Sequence, residues 1–136
     1  MKKNLNVGVI GLGVGEQHVA GYQKVDATNV TDICDINPKV LKDVGDRKKI
    51  FGRHSDYRMI TENPEIDIVS IASYDDHHVE QAISAFNHGK HVMIEKPIAL
   101  NRADSERLLR AQQDSGRLIT SNLILRQSPR FKELKS

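Results

Sequence analysis

Short apolar runs recur along the chain, and each is followed by a stretch in which apolar positions return every three or four residues. The runs read as buried strands and the spaced stretches as helices. Residues 5–10, Leu-Asn-Val-Gly-Val-Ile, are apolar and β-branched enough for a strand covered on both faces. A helix follows over about 16–25, with Val19, Ala20, Tyr22 and Gln23 on one modest face, and a second strand over 29–35 around Val30, Ile33 and Cys34. Asn37 is placed to cap the next helix, with Pro38 at its first position, where a missing N–H costs nothing.

The pattern is weakest over 45–63, because 46–54 is rich in charge and shows no period. A short edge strand near Arg53 fits there, and Ser55-Asp56 can cap a brief helix through Glu62 that Asn63-Pro64 ends. A buried strand is expected over 66–73, built on Ile66, Ile68, Val69, Ile71 and Ala72. The helix over 77–88 spaces Val79, Ala82, Ile83 and Phe86 by three and four, and Gly89 closes it. A strand over 91–95 (Val92, Met93, Ile94), a helix over 101–115 with Leu108, Leu109 and Ala111 among charges and Gly116 at its end, and a strand over 118–122 complete the series. Strands alternating with helices predict an α/β fold with a doubly wound parallel sheet, since parallel neighbours need crossovers and the crossovers cover both faces. Residues 1–122 are expected to form this domain, and 123–136 a tail or the start of a second, truncated one.

The first strand breaks into three glycines at alternate positions, Gly11-Leu12-Gly13-Val14-Gly15, and a helix begins directly after them. Glycine lets the backbone turn sharply and lets a phosphate approach it, while the helix aims unpaired N–H groups at that phosphate. The spacing is one residue shorter than the dinucleotide fingerprint G-x-G-x-x-G, whose third glycine falls on Glu16. Asp35, twenty residues past Gly15 at the end of the second strand, is where a carboxylate accepts hydrogen bonds from an adenosine ribose. A carboxylate there also repels a 2′-phosphate, which favours NAD over NADP. Glycines and acid together still leave two ligands open, a nicotinamide dinucleotide and the S-adenosylmethionine of methyltransferases.

Charge and composition narrow the classes. Lys plus Arg number 20 against 18 Asp plus Glu, interspersed, so there is no basic stripe for nucleic acid. No apolar stretch approaches a bilayer span, no convincing leader peptide precedes the first strand, and a cytoplasmic protein is expected. Cys34, the single cysteine, cannot bridge within the chain and sits in an apolar run as a small buried residue. Asp75-Asp76-His77-His78 is not a metal site on this reading, because four adjacent residues starting a helix cannot converge on one ion. His54, His88 and His91 have no partner that the sequence reveals.

The segment Gly89-Lys90-His91-Val92-Met93-Ile94-Glu95-Lys96-Pro97 resembles the G-K-H-V-x-x-E-K-P segment of the Gfo/Idh/MocA oxidoreductases. Residues 67–73 followed by His78 are similar to that family's fourth strand and the loop after it. Gly15-Glu16-Gln17-His18 resembles its G-x-x-H, and Arg126-Gln127-Ser128-Pro129 its R-x-x-P at the start of a second domain. The resemblance implies a Rossmann-type domain in which Gly11, Gly13, Val14 and Gly15 hold a pyrophosphate and Asp35 the adenosine ribose. Ala72, Ser73 and His78 would then serve the middle and nicotinamide side of the cofactor, and Glu95 and Lys96 the nicotinamide ribose, with Lys96 the catalytic-site residue. A lysine at the carboxyl end of a parallel strand faces the ligand crevice, and Pro97 after it is a candidate for a cis peptide bond.

Where many members carry Pro-Asn after the fourth strand, this chain has Tyr74-Asp75. The implied reaction is hydride transfer between a secondary hydroxyl of a sugar, inositol or similar polyol and a nicotinamide cofactor. The alternatives are a non-catalytic NAD-binding or sensing module and, less favoured, a methyltransferase. Because the family's acid/base pair lies in its second domain, these 136 residues alone are expected to bind NAD with little turnover. A homo-oligomer is compatible with the tail.

Overall fold

The computed structural model describes residues 4–121. Within them six parallel strands stand in the order 3-2-1-4-5-6: β1 (Leu5–Ile10), β2 (Thr28–Cys34), β3 (Gly52–His54), β4 (Ile68–Ile71), β5 (His91–Ile94) and β6 (Ile119–Ser121). The helices between them are α1 (Gly15–Gln23), α2 (Pro38–Lys48), α3 (Arg58–Thr61), α4 (His78–Asn87) and α5 (Arg102–Ser115). This is the doubly wound sheet that the alternating pattern predicts. The tail over 123–136, with its R-x-x-P segment, and Asn122 lie outside the described residues.

Side-chain alternation divides the core into two layers. Val7 and Val9 of β1 join Leu12, Val19, Val30, Ile33, Val44 and Ile50 under α1 and α2. Ile10 points the other way, with Val69, Ile71, Val92, Ile94, Phe86 and Leu108 under α4 and α5. Val30 and Ile33 share a face although they are three apart, against the period of two. The reason is a register shift in β2, where Val7 pairs with Val30 but Gly8 pairs with Asp32, leaving Thr31 as an extra residue. Gly8 is needed for packing, since a Cβ there would stand 2.5 Å from Ile60 Cγ2.

The weakly patterned stretch resolves into α2 running through Lys48, a left-handed Lys49 at its end (φ 60°), and the short edge strand β3. Asn37 Oδ1 accepts from the amides of Lys39 and Val40, the expected cap. The brief helix is shorter than expected, Arg58–Thr61, with Asp56 Oδ1 accepting from the Arg58 amide. In α5, Leu108 is buried while Leu109 is more than half exposed.

Candidate functional site

A cleft of about 740 Å³ opens at the carboxyl ends of β1, β2 and β4, where the chain crosses from one face of the sheet to the other. Ligands bind open α/β sheets at such switch points. Its floor is the glycine turn. Gly11 has φ of +87°, and a Cβ on it would meet the Ser73 amide nitrogen at 2.6 Å and the Ala72 carbonyl at 2.7 Å. Only glycine lets the turn lie that close to the end of β4. A Cβ on Gly13 would meet nothing within 4 Å, so its α-carbon faces open cleft.

Helix α1 begins at Gly15, one residue earlier than the pattern suggested, with Val14 at the cap position and no side-chain cap. The Gln17 amide donates to the Val14 carbonyl at 2.9 Å, and no side chain caps the amides ahead of it, which face the direction from which an anion would approach. A Cβ on Gly15 would stand 3.1 Å from Val9 Cγ1 and 3.4 Å from Ala72 Cβ. Close helix–strand packing is the work of the third fingerprint glycine; because α1 starts early, Gly15 does it one position ahead of the usual spacing. Glu16, in the usual position, turns outward and is held by Arg47 through both carboxylate oxygens. The Arg47 guanidinium keeps the Glu16 carboxyl below the ordinary carboxylate range.

Asp35 follows β2 directly and is half-buried in the cleft wall. Its Oδ2 accepts from the Leu12 amide at 2.9 Å and its Oδ1 from the Asn37 amide at 2.8 Å, so the acid is clamped to the glycine turn on one side and to the start of α2 on the other. Ile36 and Tyr74, both largely exposed, stand on the two sides of the cleft. Ser73 lines it with its hydroxyl donating to Gln81 Oε1 at 2.5 Å. Cys34 lies beneath, its thiol pushed up to about 12 by burial, with the Asp35 and Asp56 charges acting in the same direction.

Gly11, Gly13, Val14, Asp35, Ala72 and Ser73 thus share one cleft, with Gly15 as the packing residue behind them. His78 stands differently. It is buried, with Nδ1 2.8 Å from the Pro97 carbonyl and Nε2 2.9 Å from the Ser73 carbonyl, so both ring nitrogens are taken by protein oxygens. It ties the loop after β4 to the Lys96-Pro97 turn, whose peptide bond is cis, instead of lining the cleft. Glu95 and Lys96 follow β5 on the other side of β4 and are not part of the cleft wall; Lys96 is exposed and Glu95 is mostly buried.

Two residues that sequence reasoning left without a role meet at Glu95. His18 Nε2 lies 2.5 Å from Glu95 Oε1, and His18 Nδ1 lies 2.7 Å from Ser70 Oγ. The G-x-x-H spacing placed His18 one turn into α1, but nothing in the sequence placed β4 and β5 beside it. The remaining histidines have partners too. His54 Nε2 pairs with Asp32 Oδ2 at 2.7 Å, His88 Nδ1 donates to the Ser84 carbonyl, and His91 Nδ1 accepts from the Leu118 amide. Asp75, Asp76 and His77 form a 3-10 turn ahead of α4, from which His78 turns inward. Among the described residues no three His, Cys, Asp or Glu side chains are grouped to hold a metal, and no helix is long and apolar enough to cross a membrane.

The strand order, the glycine turn and the clamped acid at the switch point define a dinucleotide-binding Rossmann domain. Residues 5–123 match the family model described as "Oxidoreductase family, NAD-binding Rossmann fold", that of the Gfo/Idh/MocA proteins, and the chain belongs to this family. The match separates the nicotinamide reading from the S-adenosylmethionine one. Among curated relatives, myo-inositol 2-dehydrogenase of Thermotoga maritima is 28% identical over 132 residues, 96% of this chain and 40% of that protein. Levoglucosan dehydrogenase of Pseudarthrobacter phenanthrenivorans is 34% identical over 121 residues, 82% of this chain and 31% of that protein. Scyllo-inositol dehydrogenase of Lactobacillus casei, solved with NAD(H) and scyllo-inositol, superposes with a TM-score of 0.90 at 25% identity, covering 98% of this chain and 40% of that one. The chain therefore spans about 40% of the length of the inositol dehydrogenases it matches.

Proposed function

We propose that this domain binds NAD, in preference to NADP, for a dehydrogenase that oxidises a secondary hydroxyl of a sugar, inositol or similar polyol. The observation that carries the reading is the pairing of an uncapped α1 terminus with the clamped Asp35 carboxylate across one cleft. The residues fit the cofactor: Gly13 leaves open space where a side chain would intrude, and the amides that open α1 carry no side-chain cap and suit a pyrophosphate. Asp35, an acceptor with its carboxylate already oriented by two backbone amides, suits a ribose diol and disfavours the added charge of a 2′-phosphate.

Glu95 and Lys96 would hold the nicotinamide ribose, with the Lys96 ammonium also available to a substrate hydroxyl. His78 fixes the turn that carries them through the Pro97 carbonyl. When bound, NAD supplies the hydride acceptor. The polyol class is supported by relatives that act on inositols and levoglucosan. Calorimetric titration with NAD and NADP tests the binding step, and polyol-dependent formation of NADH tests the reaction. Absence of NAD binding, or equal affinity for the two dinucleotides, would count against the reading at its first step.

A further inference from the structure

Helix α1 links two places that the sheet keeps apart. Its first turn faces the cleft between β1 and β4, and its buried His18 reaches under β4 to the end of β5. There the imidazole spans two partners. Nε2 is 2.5 Å from Glu95 Oε1 and Nδ1 is 2.7 Å from Ser70 Oγ, on a serine that is itself buried in β4. An ionised carboxylate accepts only, so Nε2 carries the proton that bonds Glu95, while Nδ1 on the far side of the ring shares a hydrogen bond with the Ser70 hydroxyl. Ser70 thereby holds the imidazole from the side opposite the carboxylate, so the ring is fixed at both nitrogens. Tyr22, one turn further along α1, closes the group with its hydroxyl 3.2 Å from Met93 Sδ on β5. Burial pushes the Tyr22 phenol up, with the Ser70 hydroxyl acting in the opposite direction.

We infer that His18 is a positioning residue for the nicotinamide half of the site: through Ser70 it fixes the Glu95 carboxylate, and through α1 it ties that carboxylate to the helix that holds the pyrophosphate. The inference rests on the reading that Glu95 and Lys96 hold the nicotinamide ribose. A carboxylate held in place before binding spares the ligand the cost of ordering it. The helix that receives the pyrophosphate therefore also sets the orientation of the second ribose's carboxylate, and a dinucleotide meets both ends of its site already in register.

The test compares NAD with ADP, which carries the adenosine and pyrophosphate but lacks the second ribose. His18→Asn keeps a polar atom near the Nδ1 position and removes the ring N–H that bonds Glu95, whereas His18→Gln places an amide N–H near the Nε2 position. With the 136-residue chain in a calorimeter, H18N is expected to bind NAD about tenfold more weakly, the equivalent of one charge-assisted hydrogen bond, and ADP within about twofold of the wild type. H18Q is expected to keep most of the NAD affinity. Unfolding midpoints of the two variants separate a loss of fold from a loss of positioning. Unchanged NAD affinity in H18N overturns the inference, as does an equal loss of NAD and ADP in both variants. If the wild-type chain binds ADP but gains nothing from the rest of NAD, the placement of Glu95 and Lys96 at the ribose fails instead.

Discussion

The Leu12 amide donates to the Asp35 carboxylate across 2.9 Å, joining the glycine turn after β1 to the acid after β2. Two motifs 23 residues apart in sequence are one unit in space, and a ligand that engages the turn meets a carboxylate whose orientation the turn has already set. Asp35→Asn keeps an acceptor for Leu12 and removes the charge. NAD affinity is expected to fall about tenfold and NADP affinity by less, so that their ratio contracts. Parallel titrations with the two dinucleotides measure it.

The three glycines of the turn separate by their surroundings. Gly11→Ala forces a positive φ on alanine and drives its Cβ into the Ala72-Ser73 backbone, at an expected cost of about 2 kcal/mol or more in urea unfolding. Gly13→Ala meets nothing within 4 Å and should leave stability within about 0.5 kcal/mol of wild type while weakening NAD, because its methyl group occupies the cleft. Gly15→Ala lies between them, since Val9 and Ala72 must each give by a few tenths of an ångström.

Arg47 holds the Glu16 carboxylate at the first turn of α1 and Asp43 one turn back on α2. Without it the Glu16 charge stands unneutralised beside the proposed pyrophosphate site. Arg47→Ala is expected to weaken NAD roughly threefold at low ionic strength, with the deficit shrinking as salt is added. Titrations at two salt concentrations measure it, and a salt-independent loss would point to a structural role instead. The depressed Glu16 carboxyl contributes stability that is present above its ordinary range and is lost as pH falls through its lowered value. The pair is exposed, so the acid limb it adds is shallow.

Cys34 is expected to resist alkylation in the native protein at about pH 8 and to react on unfolding, because its thiol is pushed up to about 12 and the reactive thiolate is scarce. With a folded value raised above the unfolded one, the stability linked to the protonated thiol is fully present below about 9 and is lost as pH rises toward about 12. Mass-spectrometric labelling with and without denaturant measures the first effect.

Much of the architecture is local and was therefore readable in the chain. The runs around Val7, Val69 and Val92 read as buried strands, Asn37-Pro38 as a helix start and the Gly11 turn as a close backbone approach, because propensity, capping and φ preference act within a few residues. The family, by contrast, was legible through the resemblance of the Gly89 to Pro97 segment to the Gfo/Idh/MocA pattern. What the sequence could not show depends on neighbours brought in by the sheet. The early start of α1 makes Gly15 the packing glycine, a register shift at Thr31 puts Val30 and Ile33 on one face, and His78 is drawn inward by two carbonyls from different loops. The His18–Glu95 contact spans 77 residues and exists only because β4 and β5 stack beside α1. Local sequence preferences chose the elements and the glycine turn; long-range pairing, which no window of sequence contains, decided which side chains share an environment.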